Sequence, residues 1–432
     1  MSGAFWLMIA VFLGIALLRG PIGLAMIAGC IAYLGATGRD MGLAAEQILN
    51  SLFGSFVLIA VPMFIFAANV MNVGSLSERI YGLAHALMGR FRGGLAHVNV
   101  LASVIFSGMS GSAIADAVGP GMVEIEMMSK DGKYTRPFAV AVSAASATIG
   151  PIIPPSIPMV LYALVSGASV GALFIGGIVP GLLMAASMML VIVWIARKRN
   201  FPMETPVPWR EIPRIFVRTL LPLLMPVVLL GGIYSGAFTP TEAAAVAALY
   251  ALVLALLVYR VLDWKGLLAV LADSARSTAV VSVIICGAFL LNYVLATEQV
   301  PQRVAEWFAA LDMGPLGFLI VANVVFLVLG CLLDTTTLLL VLVPLLLPAA
   351  KVLGVDLVHF GVVIVVNMMI GLLTPPYGVL LFVLSGLSGA SVKDIVRELL
   401  PFIAALVGVL ILLIFVPSLV LALPRLAGYQ AL

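Results

Sequence analysis

Two short stretches carry the residues that could do chemistry in an otherwise apolar chain. The first is 106-FSGMSGSAIADAVGPG-121, which gathers serines, glycines, a proline and Asp116. The second is 330-GCLLDTTTLLL-340, where Asp334 leads a run of three threonines. Glycine permits a tight backbone turn. Serine and threonine hydroxyls can satisfy the backbone groups that such a turn frees, or coordinate an ion. One enzymatic reading competes: Gly108-Met109-Ser110-Gly111 fits G-x-S-G, a setting in which a serine can serve as nucleophile. A serine nucleophile needs a base within hydrogen-bond reach. His85, His97 and His359 are the only histidines, and none is expected at the depth of Ser110.

What must position these stretches follows from composition. The chain has 432 residues, 63% of them hydrophobic and 9% charged, with a mean hydropathy of +1.24. Soluble domains are about a quarter charged, so this is an all-α polytopic membrane protein. Membrane spans of about 20 apolar residues are expected near 4–18, 21–37, 50–73, 138–165, 170–196, 217–235, 240–259, 277–297, 360–386 and 400–423. With the N-terminus outside, 18 of the 22 Lys and Arg fall on the cytoplasmic side; only Arg39, Arg303, Lys351 and Arg425 do not. That agrees with the positive-inside rule and places both termini outside. The basic residues are thus a topology signal and give no reason to expect a nucleic-acid partner. Cys30, Cys286 and Cys331 read as small core residues, and no metal-binding spacing occurs.

Residues 93–130 and 315–356 are too long and too interrupted for one simple helix each. They fit re-entrant hairpins, because non-helical backbone survives at membrane depth only where protein or a wet cavity covers it. Amphipathic arm helices, 75–92 and 301–312, precede them. The chain also repeats itself. SGASV occurs at 166–170 and again at 388–392; Pro154-Pro155 matches Pro375-Pro376, and Pro180 matches Pro401, at an offset of 221. Asn99-Val100 matches Asn323-Val324, and Pro120 matches Pro344, at an offset of 224, which sets Ser110 opposite Asp334. Each proline pair should break its span at 138–165 or 360–386. Inverted repeats with broken helices are a signature of secondary transporters. The expected organisation is therefore a first repeat over 1–200 (spans within 1–74, arm, hairpin, broken helix, span 170–196), a cytoplasmic linker at 197–216, and a second repeat over 217–432 (spans within 217–297, arm, hairpin, broken helix, span 400–423).

GMSGSAIADAVGPG, ATIGPIIPPSIPMVLYALVSGAS, 231-GGIYSGAFTPTEAAAVAALYAL-252 and 371-GLLTPPYGVLLFVLSG-386, in this order, resemble the large membrane (M) subunit of tripartite ATP-independent periplasmic (TRAP) transporters. The resemblance covers nearly the whole chain. It implies an elevator-type carrier whose mobile domain holds both hairpins and both broken helices. It implies as partners a small four-helix membrane (Q) subunit and a periplasmic substrate-binding (P) protein. Because the first span starts at residue 4, the small subunit is expected as a separate chain. The implied cargo is a small organic acid, such as a C4-dicarboxylate or a sialic or sugar acid, driven by Na⁺ across a bacterial or archaeal inner membrane. No cofactor beyond Na⁺ as coupling ion is implied.

Carried over from the resemblance, one sodium site would use Ser110, Gly111 and Ser112 with Thr148, Gly150 and Pro151. The other would use Asp334, Thr335, Thr336 and Thr337 with Gly371 and Thr374. Substrate is expected between the tips, near Ser110, Ser112, Pro154, Pro155, Thr336, Pro375 and Pro376. A charge at the bilayer centre costs about 2.5–3.5 kcal/mol on insertion scales, which favours Asp334 as a Na⁺ ligand or its neighbour over a protonated or hydrogen-bonded structural Asp. Asp116 reads equally as a structural group or as support for an ion site. Glu124 and Glu126 are expected to be solvated, and Glu242 to form a capping box with Thr239. The alternative function is a stand-alone divalent-anion/Na⁺ symporter of similar architecture.

Overall fold

A computed structural model describes residues 1–72, 75–311 and 313–430. Residues 73 and 74, at the end of the first group of expected spans, lie outside them, as does residue 312, the expected last residue of the second arm. The described residues are helical with connecting turns and contain no strand. Six helices are long and apolar enough to cross a bilayer: Val170–Arg199, Ile212–Tyr234, Pro240–Val258, Trp264–Thr297, Thr335–Val352 and Val392–Phe415. Shorter apolar helices at Gly3–Leu17 and Ile22–Ala36 stand where the first two spans were expected.

Three boundaries differ from the sequence reading. The span expected at 50–73 belongs to a bent pair, Gly42–Phe53 and Phe56–Met71, turned by 73°. The span expected from 277 starts at Trp264, capped by Asp263, whose Oδ1 accepts the Gly266 amide at 2.7 Å. Asp273 and Arg276 are exposed within this helix and do not end it. The span expected at 400–423 begins at Val392 and stops at Phe415, and Ser418–Leu426 is a separate short helix.

Both hairpins double back. In the first, Gly94–Ser110 enters, Gly111 turns in the left-handed region (φ 63°), and Ala113–Val118 and Pro120–Ser129 return. In the second, Pro315–Gly330 enters, 331–334 form the turn, and Thr335–Val352 returns. Both proline pairs interrupt a helix. Arg136–Ala147 resumes as Ile157–Ser166, and Leu357–Gly371 resumes as Val379–Ser388. The Pro154-Pro155 and Pro375-Pro376 bonds are both cis.

The repeated SGASV is a helix-to-helix corner. Gly167 and Gly389 adopt φ 74° and 72° just past a helix end, a role glycine fills without a Cβ penalty. Ser169 and Ser391 then cap the next helix, accepting the Ala172 amide at 3.3 Å and the Asp394 amide at 3.2 Å. Its recurrence therefore marks the fold and not the site.

Packing is crossed between the halves. Each entering hairpin arm lies against the helix that precedes its own break. Each helix after a break lies instead against the opposite hairpin: Ile157–Ser166 on Thr335–Val352, and Val379–Ser388 on Ala113–Val118. The long helices exchange too, Val170–Arg199 packing on Leu357–Gly371 and Val392–Phe415 on Arg136–Ala147. Around this block the N-terminal helices pack on Trp264–Thr297. There Gly23 meets Gly287, where an added Cβ would come within 2.7 Å of the Gly23 carbonyl. Small residues let membrane helices approach this closely.

Candidate functional site

At the first tip, Ser110 ends the entering arm and is buried. Ser112 caps the return, its Oγ accepting the Ala115 amide at 3.4 Å; the Ser110 Oγ accepts the Ser112 amide at 3.4 Å. Gly111 rests on the break opposite, and a Cβ there would stand 2.5 Å from the Pro155 carbonyl oxygen. The break itself is sealed: Thr148, Gly150, Pro151, Pro154 and Pro155 are buried. The Thr148 hydroxyl donates to the Ala145 carbonyl at 2.6 Å, which leaves its oxygen free to accept. Ser156, which the sequence reading passed over, donates to the Pro151 carbonyl and caps the resumed helix through Met159 N at 3.2 Å.

Asp116 is the outlier of this region. It is 4% exposed, and neither carboxylate oxygen has a hydrogen-bond partner. The carboxylate sits over the break: a methyl group built on Gly150 would run into Asp116 Oδ2. Ser110 lies beside it without meeting hydrogen-bond geometry. A buried carboxylate without donors is costly unless a cation or proton neutralises it. Asp116 makes no cap; Ser110, on the entering arm, is the side chain beside it. Glu124 corrects a second expectation. It is not solvated but 3% exposed, with Oε1 unpartnered. The return arm turns its Glu124 face inward onto the entering arm and Arg136–Ala147. Glu126, on the other face, is exposed and pairs with Arg136 at 2.6 Å. Spacing along the chain gave distance from the tip but not which face was covered.

The second tip is arranged differently. Asp334 caps the returning arm, with Oδ2 accepting the Thr337 amide at 3.0 Å and Oδ1 accepting the Thr337 hydroxyl at 2.5 Å. Asp334, Thr335 and Thr336 are half-buried and Thr337 is buried. Against Gly371 lies Gly330, not Asp334: a Cβ on Gly371 would stand 2.9–3.0 Å from Gly330 backbone atoms. The Thr374 hydroxyl donates to the Ile370 carbonyl at 2.8 Å, and Pro375 and Pro376 are exposed. The structure thus brings together Gly111 with Pro155 and Asp116 with Gly150 at the first tip, and Asp334 with Thr337 at the second. Neither Gly371 nor Thr374 donates a hydrogen bond to Asp334.

The nucleophile reading lacks its base. His359 is buried, with Nε2 2.9 Å from the Leu413 carbonyl, and His97 is buried near the start of the first hairpin, its ring edge-on to Phe91. Glu242 closes the expected capping box, its carboxylate accepting the Thr239 amide at 2.8 Å while the Thr239 hydroxyl accepts the Glu242 amide at 3.3 Å.

Comparison with known proteins points the same way. Residues 8–419 match the family described as tripartite ATP-independent periplasmic transporter, DctM component. The chain is 41% identical over 420 residues to the sialic acid TRAP transporter large permease protein SiaM of Vibrio cholerae, covering 97% of this chain and 98% of that protein. It is also 41% identical over 373 residues to the C4-dicarboxylate TRAP transporter large permease protein DctM of Pseudomonas aeruginosa, covering 86% and 87%. In fold it is similar to the YdaH transporter of Alcanivorax borkumensis, with a TM-score of 0.65 over 86% of this chain and 87% of that one at 14% identity. With its two hairpins, two broken helices and multi-pass helical body, the chain is a member of the tripartite ATP-independent periplasmic transporter family, a large permease component and not an enzyme.

Proposed function

We propose that this chain is the transport subunit of a Na⁺-coupled importer of a small organic anion, moving its cargo by an elevator mechanism. The observation that carries the reading is Asp116, a buried carboxylate with two free oxygens held over the break at Gly150. One Na⁺ there would neutralise Asp116, with oxygens of Ser110, Gly111, Ser112, Thr148, Gly150 and Pro151 at hand. A second would sit at Asp334 and Thr335 to Thr337, with Gly371 and Thr374 across the tip. Substrate would lie between the tips, beside Ser110, Ser112, Thr336 and the two proline pairs. A carboxylate is the cargo that two bound cations offset. Each positive charge that enters gains about 2.3 kcal/mol per 100 mV of membrane potential.

The crossed packing supports a mobile body made of both hairpins and both broken helices, since each half is gripped by the other. The helices outside that body would form the fixed scaffold. Its partners would be a small four-helix membrane subunit and a periplasmic binding protein. A C4-dicarboxylate or a sialic or sugar acid fits as cargo, in keeping with the relatives. The basic residues favour an inner-membrane orientation with both termini periplasmic. The test is uptake of labelled succinate and of labelled sialic acid into proteoliposomes holding the chain with its membrane subunit and binding protein. An inward Na⁺ gradient should drive one of them and a matched K⁺ gradient neither. Equal uptake under the two gradients would overturn sodium coupling.

A further inference from the structure

Below each hairpin tip, a buried asparagine on the entering arm is tied to the helix that breaks opposite. In the first half, Asn99 Nδ2 donates to Ser143 Oγ and Ser146 Oγ donates to Asn99 Oδ1, both at 2.6 Å. In the second, Asn367 Nδ2 donates to Asn323 Oδ1 and to the Asn323 carbonyl, both at 2.8 Å. The Asn323 amide is itself spent on the Leu319 carbonyl at 2.8 Å. All four residues, Asn99, Ser146, Asn323 and Asn367, are at most 4% exposed.

The two ties are the same tie. Asn99 and Asn323 match at the 224-residue offset that relates the hairpins. Ser146 and Asn367 match at the 221-residue offset that relates the proline pairs. In both, the breaking helix donates and the hairpin Oδ1 accepts. The donor has changed from hydroxyl to amide, yet the bond has kept its place and direction. Filling space would not require this: buried polar groups are costly unless paired, and an apolar side chain fills the same volume without that demand.

We propose that Asn99 and Asn323 are positioning residues that set the height of each tip over its break. Neither is placed among the ion or substrate ligands. Each acts by fixing the entering arm against a helix whose broken end follows directly, since Ser146 stands four residues before Gly150 and Asn367 four before Gly371. A slip of one residue along a helix moves a tip by about 1.5 Å. Where Gly371 meets Gly330, a Cβ added to Gly371 would already be 2.9 Å from backbone, so that slip separates or collides the surfaces that shape the site. The effect on ion binding rests on the sodium reading proposed above; the effect on tip position does not.

The test uses the full chain with its three native cysteines replaced by alanine, spin-labelled at Leu332 on the second tip and Tyr377 on the break opposite, both exposed. Dipolar EPR reads the spread of label distances in KCl, and thermal melts in NaCl against KCl read the half-saturating Na⁺. Asn367→Ala should broaden the distances and raise the half-saturating Na⁺ by on the order of tenfold. Asn367→Ser, the residue the first half uses, should keep both near wild type. If Asn367→Ala does not fold, Asn367→Gln decides: a link one methylene longer should shift the distance, and an unshifted one overturns the proposal. Unchanged distances in Asn367→Ala, whatever its melting temperature, would also overturn it. If wild type shows no Na⁺-specific response, the sodium reading fails and the EPR result alone decides the clamp.

Discussion

In the first half of the molecule the acidic group at the hairpin is walled in. Asp116 lies on the returning arm, over Gly150, with both oxygens unpartnered, and the break it faces is buried. In the second half the acidic group is at the turn itself. Asp334 is half-buried and spends both oxygens on Thr337, while the break opposite keeps Pro375, Pro376 and Tyr377 exposed. The backbone plan is shared, down to the SGASV corners and the asparagine clamps. Two solutions to the cost of removing a carboxylate from water have been built on it. One carboxylate is left without a hydrogen-bond partner in the chain; the other is already half-satisfied by its own cap. The first tip should therefore depend more on a bound cation, and the second more on its own hydrogen bonds.

The sharpest break in the comparison comes from the glycines under the tips. Gly371→Ala pushes a Cβ against Gly330 backbone, which cannot turn aside, so it should cost about 3 kcal/mol of stability and abolish transport. Gly150→Ala meets first a side chain, the Asp116 carboxylate, which can rotate away, and only then the Ala147 carbonyl oxygen at 3.2 Å. It should cost less in a KCl melt while removing the Na⁺ response of the first tip. Near-equal melting losses would mean that the two breaks are gripped alike.

Next in size is Asp116→Asn. An amide at that place carries no unpartnered charge, so the variant should melt higher than wild type in KCl by about 1–3 kcal/mol of stability. It should lose most of its Na⁺-specific gain. A lower melt in KCl would show that Asp116 has donors in the folded protein and is not the orphan described. Asp334→Ala, measured the same way, should lose about 1 kcal/mol as its N-cap goes; a variant that melts at the wild-type temperature would remove the cap from the comparison. The smallest effect tests what the halves share. Ser169→Ala and Ser391→Ala each remove one cap from an SGASV corner and should each cost about 0.5–1 kcal/mol, by melting and in equal measure.

Much of this architecture is legible in the sequence because its irregularities have few physical uses. Paired prolines inside an apolar segment can only interrupt a helix there, and glycine with serine at membrane depth can only turn and be covered. The tips, the breaks and the Thr239–Glu242 box follow from such residues. What the sequence hides is which face of a helix is covered. Glu124 and Glu126 are two residues apart, yet one is sealed in and the other pairs with Arg136 at the surface. From sequence Asp334 is the more telling carboxylate and Asp116 reads either way; only the surroundings show Asp116 buried with both oxygens unpartnered. Where a helix begins is hidden for the same reason. Asp273 and Arg276 look like a terminus in a hydropathy reading but ride on an exposed stretch of Trp264–Thr297.

The measurement that bears most directly on the sodium sites is a melt of the purified chain in NaCl titrated against KCl at constant ionic strength, for wild type, Asp116→Asn, Asp334→Asn and the double variant. A ligand that binds only the folded state at 100 times its dissociation constant adds about 2.7 kcal/mol of stability. Wild type should show a saturable Na⁺-specific gain, Asp116→Asn should lose the larger part of it, Asp334→Asn the smaller, and the double variant all of it. Identical curves in the two salts for wild type, or a full gain retained by Asp116→Asn, would contradict a cation bound over the first break.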